Sequence, residues 1–362
     1  MSLYPLILKP IYIEKIWGSR KLAATCGRQL PSDSTGESWE VSEHEKADTR
    51  VETGPLAGMS LSRLRKKFGQ KLLGRASPSQ SGRFPLIFKL LTPGEKLSVQ
   101  VHPGPETAAK IPQAEAKFEM WYVLQARPEA EIIYGLKDRQ LKSSEVTAAA
   151  AEGELEDILY HKPIEAGQVI FLPPGMIHSI KAGAVIAEIQ QNSDTTYRLY
   201  DWERTRQGEK RPLHLKKARQ VLKPDLDPEV EYHHPLWEER GGPRRLLAVC
   251  PHFTALRLNP AGENNLYRLS PARQESFQIL FAEKEQLVIR WRQTKYRLPA
   301  GRTCLLPACL EEIKVESKGG GALLFQRGLS RRELSDFATS RGLTAEDLLA
   351  VPGTGFYSSI MV

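Results

Sequence analysis

Apolar residues in this chain come in short runs punctuated by Gly and Pro. "PLIFKLL", "LSVQVHP", "FEMWYVLQ", "AEIIYGL", "GQVIFLPPG" and "AVIAEIQQN" follow one another between Pro85 and Asn192. Runs of this length, rich in Val, Ile and aromatic residues, predict antiparallel strands in a sandwich or barrel. Alternate residues of a strand share a face. In "KLSVQVHPG" (Lys96–Gly104), Val99 and Val101 therefore lie on one side and Ser98, Gln100 and His102 on the other. That polar face reads either as a wet outer surface or as the lining of a ligand-holding interior. Helical signals interrupt the strands. Leu61, Leu64, Phe68 and Leu72 recur at helical spacing, with Lys and Arg between them. The alanine-rich "SSEVTAAAAEGELEDILY" (Ser143–Tyr160) predicts one or two short helices, and "LHLKKARQVL" (Leu213–Leu222) another. Because the first of these segments falls between the Glu119 and His178 strands, it is expected to cover the barrel mouth. Lys223–Arg245, dense in Pro, Gly and charge, reads as a linker. In the tail, Ser330 with Glu333, and the Thr344 of "TAED", predict two helix starts.

The chain also repeats itself. Gly167–His178 is "GQVIFLPPGMIH" and Gly301–Leu310 is "GRTCLLPACL". Gly167 and Pro173 match Gly301 and Pro307, and Phe118–Glu119 upstream matches Phe277–Gln278. The second copy has Cys309 and Glu312 where the first has Gly175 and His178. A duplicated barrel is expected, with any metal confined to the first copy. The expected division is residues 1–245 as a catalytic barrel with helical insert and linker, 246–328 as a degenerate barrel, and 329–362 as a tail with short helices.

Composition narrows the class without deciding it. The 362 residues are 41% hydrophobic and 26% charged, as in an ordinary globular protein. The net charge of +8 is not concentrated in one tract, which disfavours nucleic acid and suits a small anionic substrate. No apolar run is long enough to span a bilayer, and the N-terminus resembles neither a signal peptide nor an anchor. Four scattered cysteines without a CxxC pair fit a reducing compartment, so a cytoplasmic location is expected.

The spacing G-x5-P-x-G-x2-H, ending at His178, resembles the second motif of the cupins, a family of small β-barrels. Their inward histidine meets metal ligands from an earlier strand pair, and here that earlier segment supplies Gln100, His102 and Glu119. Two histidines and one carboxylate suffice for a divalent ion with positions left open. The expected fold is therefore mainly β: two cupin-type jelly-roll barrels with a few helical insertions. A cupin dioxygenase would favour H-x-H, and Gln100 stands where its first histidine would be.

More of the chain carries a closer resemblance. "PIYIEKIWGSRKL", "GESWEVSEH", "FPLIFKLLTPGEKLSVQVHP", "KFEMWYVLQARPEAEIIYG", "GQVIFLPPGMIHSI" and "EIQQNSDTTYRLYDWER" occur in that order. Together they closely resemble the type I mannose-6-phosphate isomerases in their short bacterial form. The resemblance implies a zinc enzyme, one divalent ion per chain, that interconverts mannose 6-phosphate and fructose 6-phosphate. It also implies Gln100, His102, Glu119 and His178 as ligands, and Arg198 as an active-site residue. A non-catalytic sugar-phosphate-binding cupin is the alternative. The Leu329–Val362 tail does not match the family.

Isomerisation through an enediol needs a base near two carbons, a stabiliser for the oxyanion and a hold on the phosphate. Lys117 shares a strand face with Glu119 and is one candidate base, or else a rim lysine. Glu188, inside "VIAEIQQN", is the other, or else the salt-bridge partner of Lys89 or Arg198. The sequence does not choose between them. Arg198 suits phosphate or enediolate through its paired donors. Lys89 interrupts "LIFKLL" and must find an anion. Ser98 and Arg204 are further phosphate candidates, Arg204 with a surface role as its plainer alternative. Trp17 either walls the pocket or belongs to the core.

Overall fold

The computed structural model describes residues 2–206, 208–239, 241–260 and 265–357. It is built mainly of strands, as the short apolar runs predict. The first half is a two-layer sandwich. In spatial order its six-stranded sheet is Val169–Leu172, Glu119–Ala126, Ala184–Gln191, Leu86–Leu91, Thr35–Val41 and Ile11–Glu14. Facing it is a five-stranded sheet of Leu159–Pro163, Glu131–Leu136, His178–Ile180, Val99–Val101 and Tyr197–Tyr200.

The second half repeats this order, with one strand fewer in its smaller sheet. Thr303–Leu306, Gln278–Ala282, Ala322–Arg327, Phe253–Leu258, Gly242–Val249 and Leu236–Glu239 form its larger sheet. Thr294–Leu298, Leu287–Trp291, Ile313–Ser317 and Asn265–Leu269 form its smaller one. Two strands from the start of the chain, Leu6–Lys9 and Arg50–Val51, extend the larger sheet to eight, with Leu6 paired to Leu305. Strand membership thus crosses the chain division near residue 245. The segment read as a linker is in part sheet, because Trp237 supplies a buried anchor and Leu236–Glu239 pairs with Gly242–Val249.

The two larger sheets pack face to face, which explains why their strands are apolar on both sides. Along Leu86–Leu91, Leu86, Phe88 and Leu90 turn toward the second half. Phe88 meets Phe281 and Phe325 with ring centroids 5.4 and 4.9 Å apart, and Phe84 meets Phe277 at 4.5 Å. Ile87, Lys89 and Leu91 turn the other way, into the first sandwich. A buried ion pair ties the halves together. Arg28 binds Glu40 at 2.7 Å, and Thr303 of the second half donates to the same carboxylate at 3.1 Å.

Val99 and Val101 face outward, as the alternation requires. What covers them is the helical layer, where Val146 and Ala150 from Ser143–Glu152 join Ala218 and Val221 from Leu215–Val221. The expectation that the insert caps the barrel mouth is corrected. Its apolar face is spent on the back of the five-stranded sheet, where the valines need burial. Both tail helices start where predicted, at Ser330 and Thr344, each with a side-chain cap. Leu334, Phe337 and Leu348 then bury into the core of the second half. No helix among the described residues is long and apolar enough to cross a membrane.

Candidate metal centre

Strand pairing assembles the site. His178 lies opposite Gln100, and Gln100 opposite Arg198, on the five-stranded sheet. Glu119 lies opposite Gln190 on the facing sheet. The inward faces of the two layers meet, so His102 Nε2 comes to 3.3 Å from Glu119 Oε2 and His178 Nε2 to 3.7 Å. All three side chains are buried, with candidate ligand atoms within 4.8 Å of one another.

The tautomers follow from the backbone. His102 Nδ1–H donates to the Thr195 carbonyl at 2.8 Å, and His178 Nδ1–H to the Met176 carbonyl at 2.9 Å. Each Nε2 is left with a lone pair aimed at the carboxylate. Burial lowers both histidines below their ordinary pKa, His178 to about 3, so the lone pairs stay free at neutral pH. Glu119 is held well below the carboxylate range. Burial pushes it up, but Lys117 and the two histidines outweigh that push. Neither of its buried oxygens is in a hydrogen bond, although Lys117 Nζ makes an ion pair at 2.5 Å. Two imidazole lone pairs and a carboxylate converge in a buried space, with the Lys117 ammonium at its edge. The donor set therefore fits a divalent metal. Gln100 lies beside this set, its amide nitrogen 3.4 Å from His178 Nε2 and its amide oxygen accepting from Ser98 Oγ at 3.4 Å.

Beside the centre runs a row of four residues, one from each of four neighbouring strands. Trp39 lies opposite Lys89, Lys89 opposite Glu188 and Glu188 opposite Trp121. Lys89 Nζ sits 4.4 Å from the Trp39 ring centroid and 3.4 Å from Glu188 Oε1, and donates to Gln190 Oε1 at 3.0 Å. Trp121 Nε1–H donates to Glu188 Oε2 at 3.0 Å. Burial and the Glu119 charge raise the Glu188 pKa, against the pull of Lys89 and Lys117. Lys89 is raised because Glu188 and Glu37 outweigh its burial.

Arg198 lies on the inward side of its strand, half-buried. Its Nη1 donates to the Pro212 carbonyl at 2.9 Å while its buried Nε makes no hydrogen bond. Arg204 is not brought to the cluster. It donates to Asp201 Oδ1 and to the Lys96 carbonyl, both at 2.6 Å, and so holds a loop. Trp17 lies in the apolar cluster with Leu91, Leu97 and Trp121. Three participants were missed in the sequence. Trp121 was discoverable, since it shares parity with Glu119. The Thr195 and Met176 carbonyls leave no trace in residue types.

A paired His/Glu/His centre on a duplicated two-sheet cupin fold defines a class of small-molecule metalloenzymes and binders. Comparison with known proteins narrows it. Residues 6–136 match the model of the phosphomannose isomerase type I catalytic domain. Mannose-6-phosphate isomerase ManA of Bacillus subtilis is 35% identical over 323 residues, covering 87% of this chain and 97% of the relative. The mannose-6-phosphate isomerase of Streptococcus mutans is 35% identical over 269 residues, covering 74% and 82%. A crystal structure of the Bacillus subtilis mannose 6-phosphate isomerase superposes with a TM-score of 0.80 at 29% identity, over 89% of this chain and 99% of the other. The chain belongs to the type I mannose-6-phosphate isomerase family.

Proposed function

We propose that this chain interconverts mannose 6-phosphate and fructose 6-phosphate by enediol proton transfer, with zinc as its divalent ion. The observation that carries the reading is the convergence of His102 and His178 Nε2 on Glu119 Oε2, with both Nδ1 atoms fixed by backbone carbonyls. Gln100, His102, Glu119 and His178 would hold the metal, which when bound supplies Lewis-acid polarisation of the sugar's oxygens. Residues 1–245 supply this chemistry, with 246–328 as the degenerate barrel and 329–362 as its helical tail.

The proton is moved by a residue beside this centre. Lys117 Nζ lies 3.5 Å from His102 Nε2, and the Glu188 carboxyl is raised above its ordinary pKa by burial and the Glu119 charge, the direction a general base requires. Glu188 is fixed by Trp121 and Lys89, whereas Lys117 pairs with Glu119 Oε1, the carboxylate oxygen other than the one the histidines face. Both keep their candidacy, Lys117 as the mobile acid–base group and Glu188 as the fixed one. Arg198 serves the phosphate or enediolate through its guanidinium, which is half-buried on the inward side of its strand. Ser98 and Lys89 shape the substrate side, Ser98 supported best through its contact with Gln100, whereas Arg204 holds its loop and Trp17 its apolar cluster. Three buried free cysteines, Cys26, Cys250 and Cys304, suit a cytoplasmic location.

The test is a coupled assay for fructose 6-phosphate formed from mannose 6-phosphate, before and after chelation, with metal content measured by mass spectrometry. Turnover that disappears with the metal and returns best with zinc is expected. Full turnover by metal-stripped protein would overturn the reading.

A further inference from the structure

The second half keeps a polar recess where the first half has its metal centre. Register fixes the equivalence. Gln278 faces Leu306 and Gln326 as Glu119 faces Leu172 and Gln190. Arg244 faces Leu258 as Glu37 faces Leu91. Glu312 follows Leu306 at the same interval at which His178 follows Leu172. Gln278, Arg244 and Glu312, with Arg268 and Arg273, line a cavity of about 790 Å³.

The substitutions rearrange the charge of the recess. A neutral amide replaces the carboxylate, an arginine replaces an acid, and Glu312 stands in the place of His178. Gln278 is 3% exposed, and although its Nε2 donates to Gln326 Oε1 at 3.2 Å, its Oε1 has no hydrogen-bond partner. Arg244 is 7% exposed. Its Nη2 donates to the Arg268 carbonyl at 2.7 Å, and its Nε lies 3.1 Å from Glu239 without a hydrogen bond. Three arginines and three acids line the cavity. Glu239 is engaged by Arg244 and Arg341, and Glu312 by Arg268, while Arg273 and Glu311, both exposed, have no ion-pair partner among the described residues. Buried polar atoms left unsatisfied carry a free-energy cost that a ligand can relieve.

We propose that this cavity binds a small phosphate-bearing anion. Arg244 and Arg273 would take the phosphate oxygens through guanidinium donors. The Gln278 amide oxygen would accept from a hydroxyl. Free phosphate and a sugar phosphate share this chemistry and are separated by experiment.

Equilibrium dialysis of the zinc-loaded full chain against labelled inorganic phosphate, and separately against labelled fructose 6-phosphate, counts the bound equivalents. One ligand or both should show an equivalent that Gln278→Leu removes and that Arg273→Glu weakens at least about tenfold. Isomerase kcat should be unchanged in both variants. Arg273 is exposed, so its variant keeps the test valid should Gln278→Leu fail to fold. An equivalent seen only with inorganic phosphate assigns the site to the free ion, and one seen only with fructose 6-phosphate assigns it to an organic phosphate. Binding unaltered by both substitutions for both ligands would overturn the proposal.

Discussion

The same row of positions crosses the larger sheet in each half, and the two rows share no chemistry. In the first half it reads Trp39, Lys89, Glu188, Trp121. In the second it reads Leu246, Leu256, Leu324, Leu280. All eight side chains are buried. Each buried leucine contributes roughly 1.5–3 kcal/mol, whereas a buried ion pair about breaks even and can cost stability relative to apolar residues of similar volume. One backbone thus accepts either solution, and the leucine row is the stabler one. A charged row kept at that cost marks the half that does chemistry, because fold alone does not carry function.

The comparison breaks most sharply at the metal ligand. Glu119→Gln gives the first half the residue that the second half has at Gln278. The fold should survive, since an amide fills the same space. Metal content should fall to background, and activity should drop by more than the roughly 10–100-fold typical of changes behind a ligand. Metal analysis together with the coupled assay checks this. A variant that keeps both zinc and turnover would remove Glu119 from the ligand set.

The row itself gives the next largest effect, now in stability. Lys89→Leu leaves Glu188 charged and buried with only Trp121 Nε1–H for support. The expected loss is about 3–5 kcal/mol, read from urea unfolding. Adding Glu188→Leu converts this part of the row to the second half's pattern and should recover most of that loss, with activity absent. A double variant no more stable than Lys89→Leu alone would mean that the leucines of the second half depend on neighbours that the first half lacks.

How much of this was legible beforehand depends on what each feature is made of. The strands, the repeat and the outward valines follow from period-two patterning and Gly/Pro punctuation, which the sequence displays directly, whereas the order of strands in the sheets does not. His102, Glu119 and His178 were legible through the cupin motif and the family resemblance, and the structure brings them together. Lys89 and Glu188 were paired as one alternative, and register makes them neighbours. The helical insert was misplaced, because its residues reveal that a face needs burial and not which surface receives it. Leu6–Lys9 joining the far half was invisible, since a four-residue apolar strand carries no mark of its partner. The leucine row was equally silent. Leu256 and Leu324 stand out only once the pairing sets them beside Lys89 and Glu188.

The smallest effect separates the halves by pH. His102 and His178 have lowered pKa values in the fold, from burial first, followed by Lys117 for His102 and by His102 for His178. Unfolded histidines take up protons near pH 6.5, whereas folded His178 waits until about 3. Across that interval the unfolded chain binds more protons, so stability must fall as the pH falls. Glu119, also lowered, extends the same sign below its unfolded value near 4.5. Glu188, raised, has the opposite sign, since its contribution is full below 4.5 and is lost as pH rises through its folded pKa. Two histidines against one carboxylate leave acid destabilising. The second half has His252 alone among its residues in this role, lowered by burial to about 4. The urea midpoint of chelator-treated protein should therefore drop between about pH 7.5 and about pH 5.5, with each extra proton worth about 1.4 kcal/mol per pH unit. His178→Phe should flatten the slope, and His252→Phe should flatten it less. Equal flattening by the two would place the acid sensitivity in the packing between the halves and not in the metal centre.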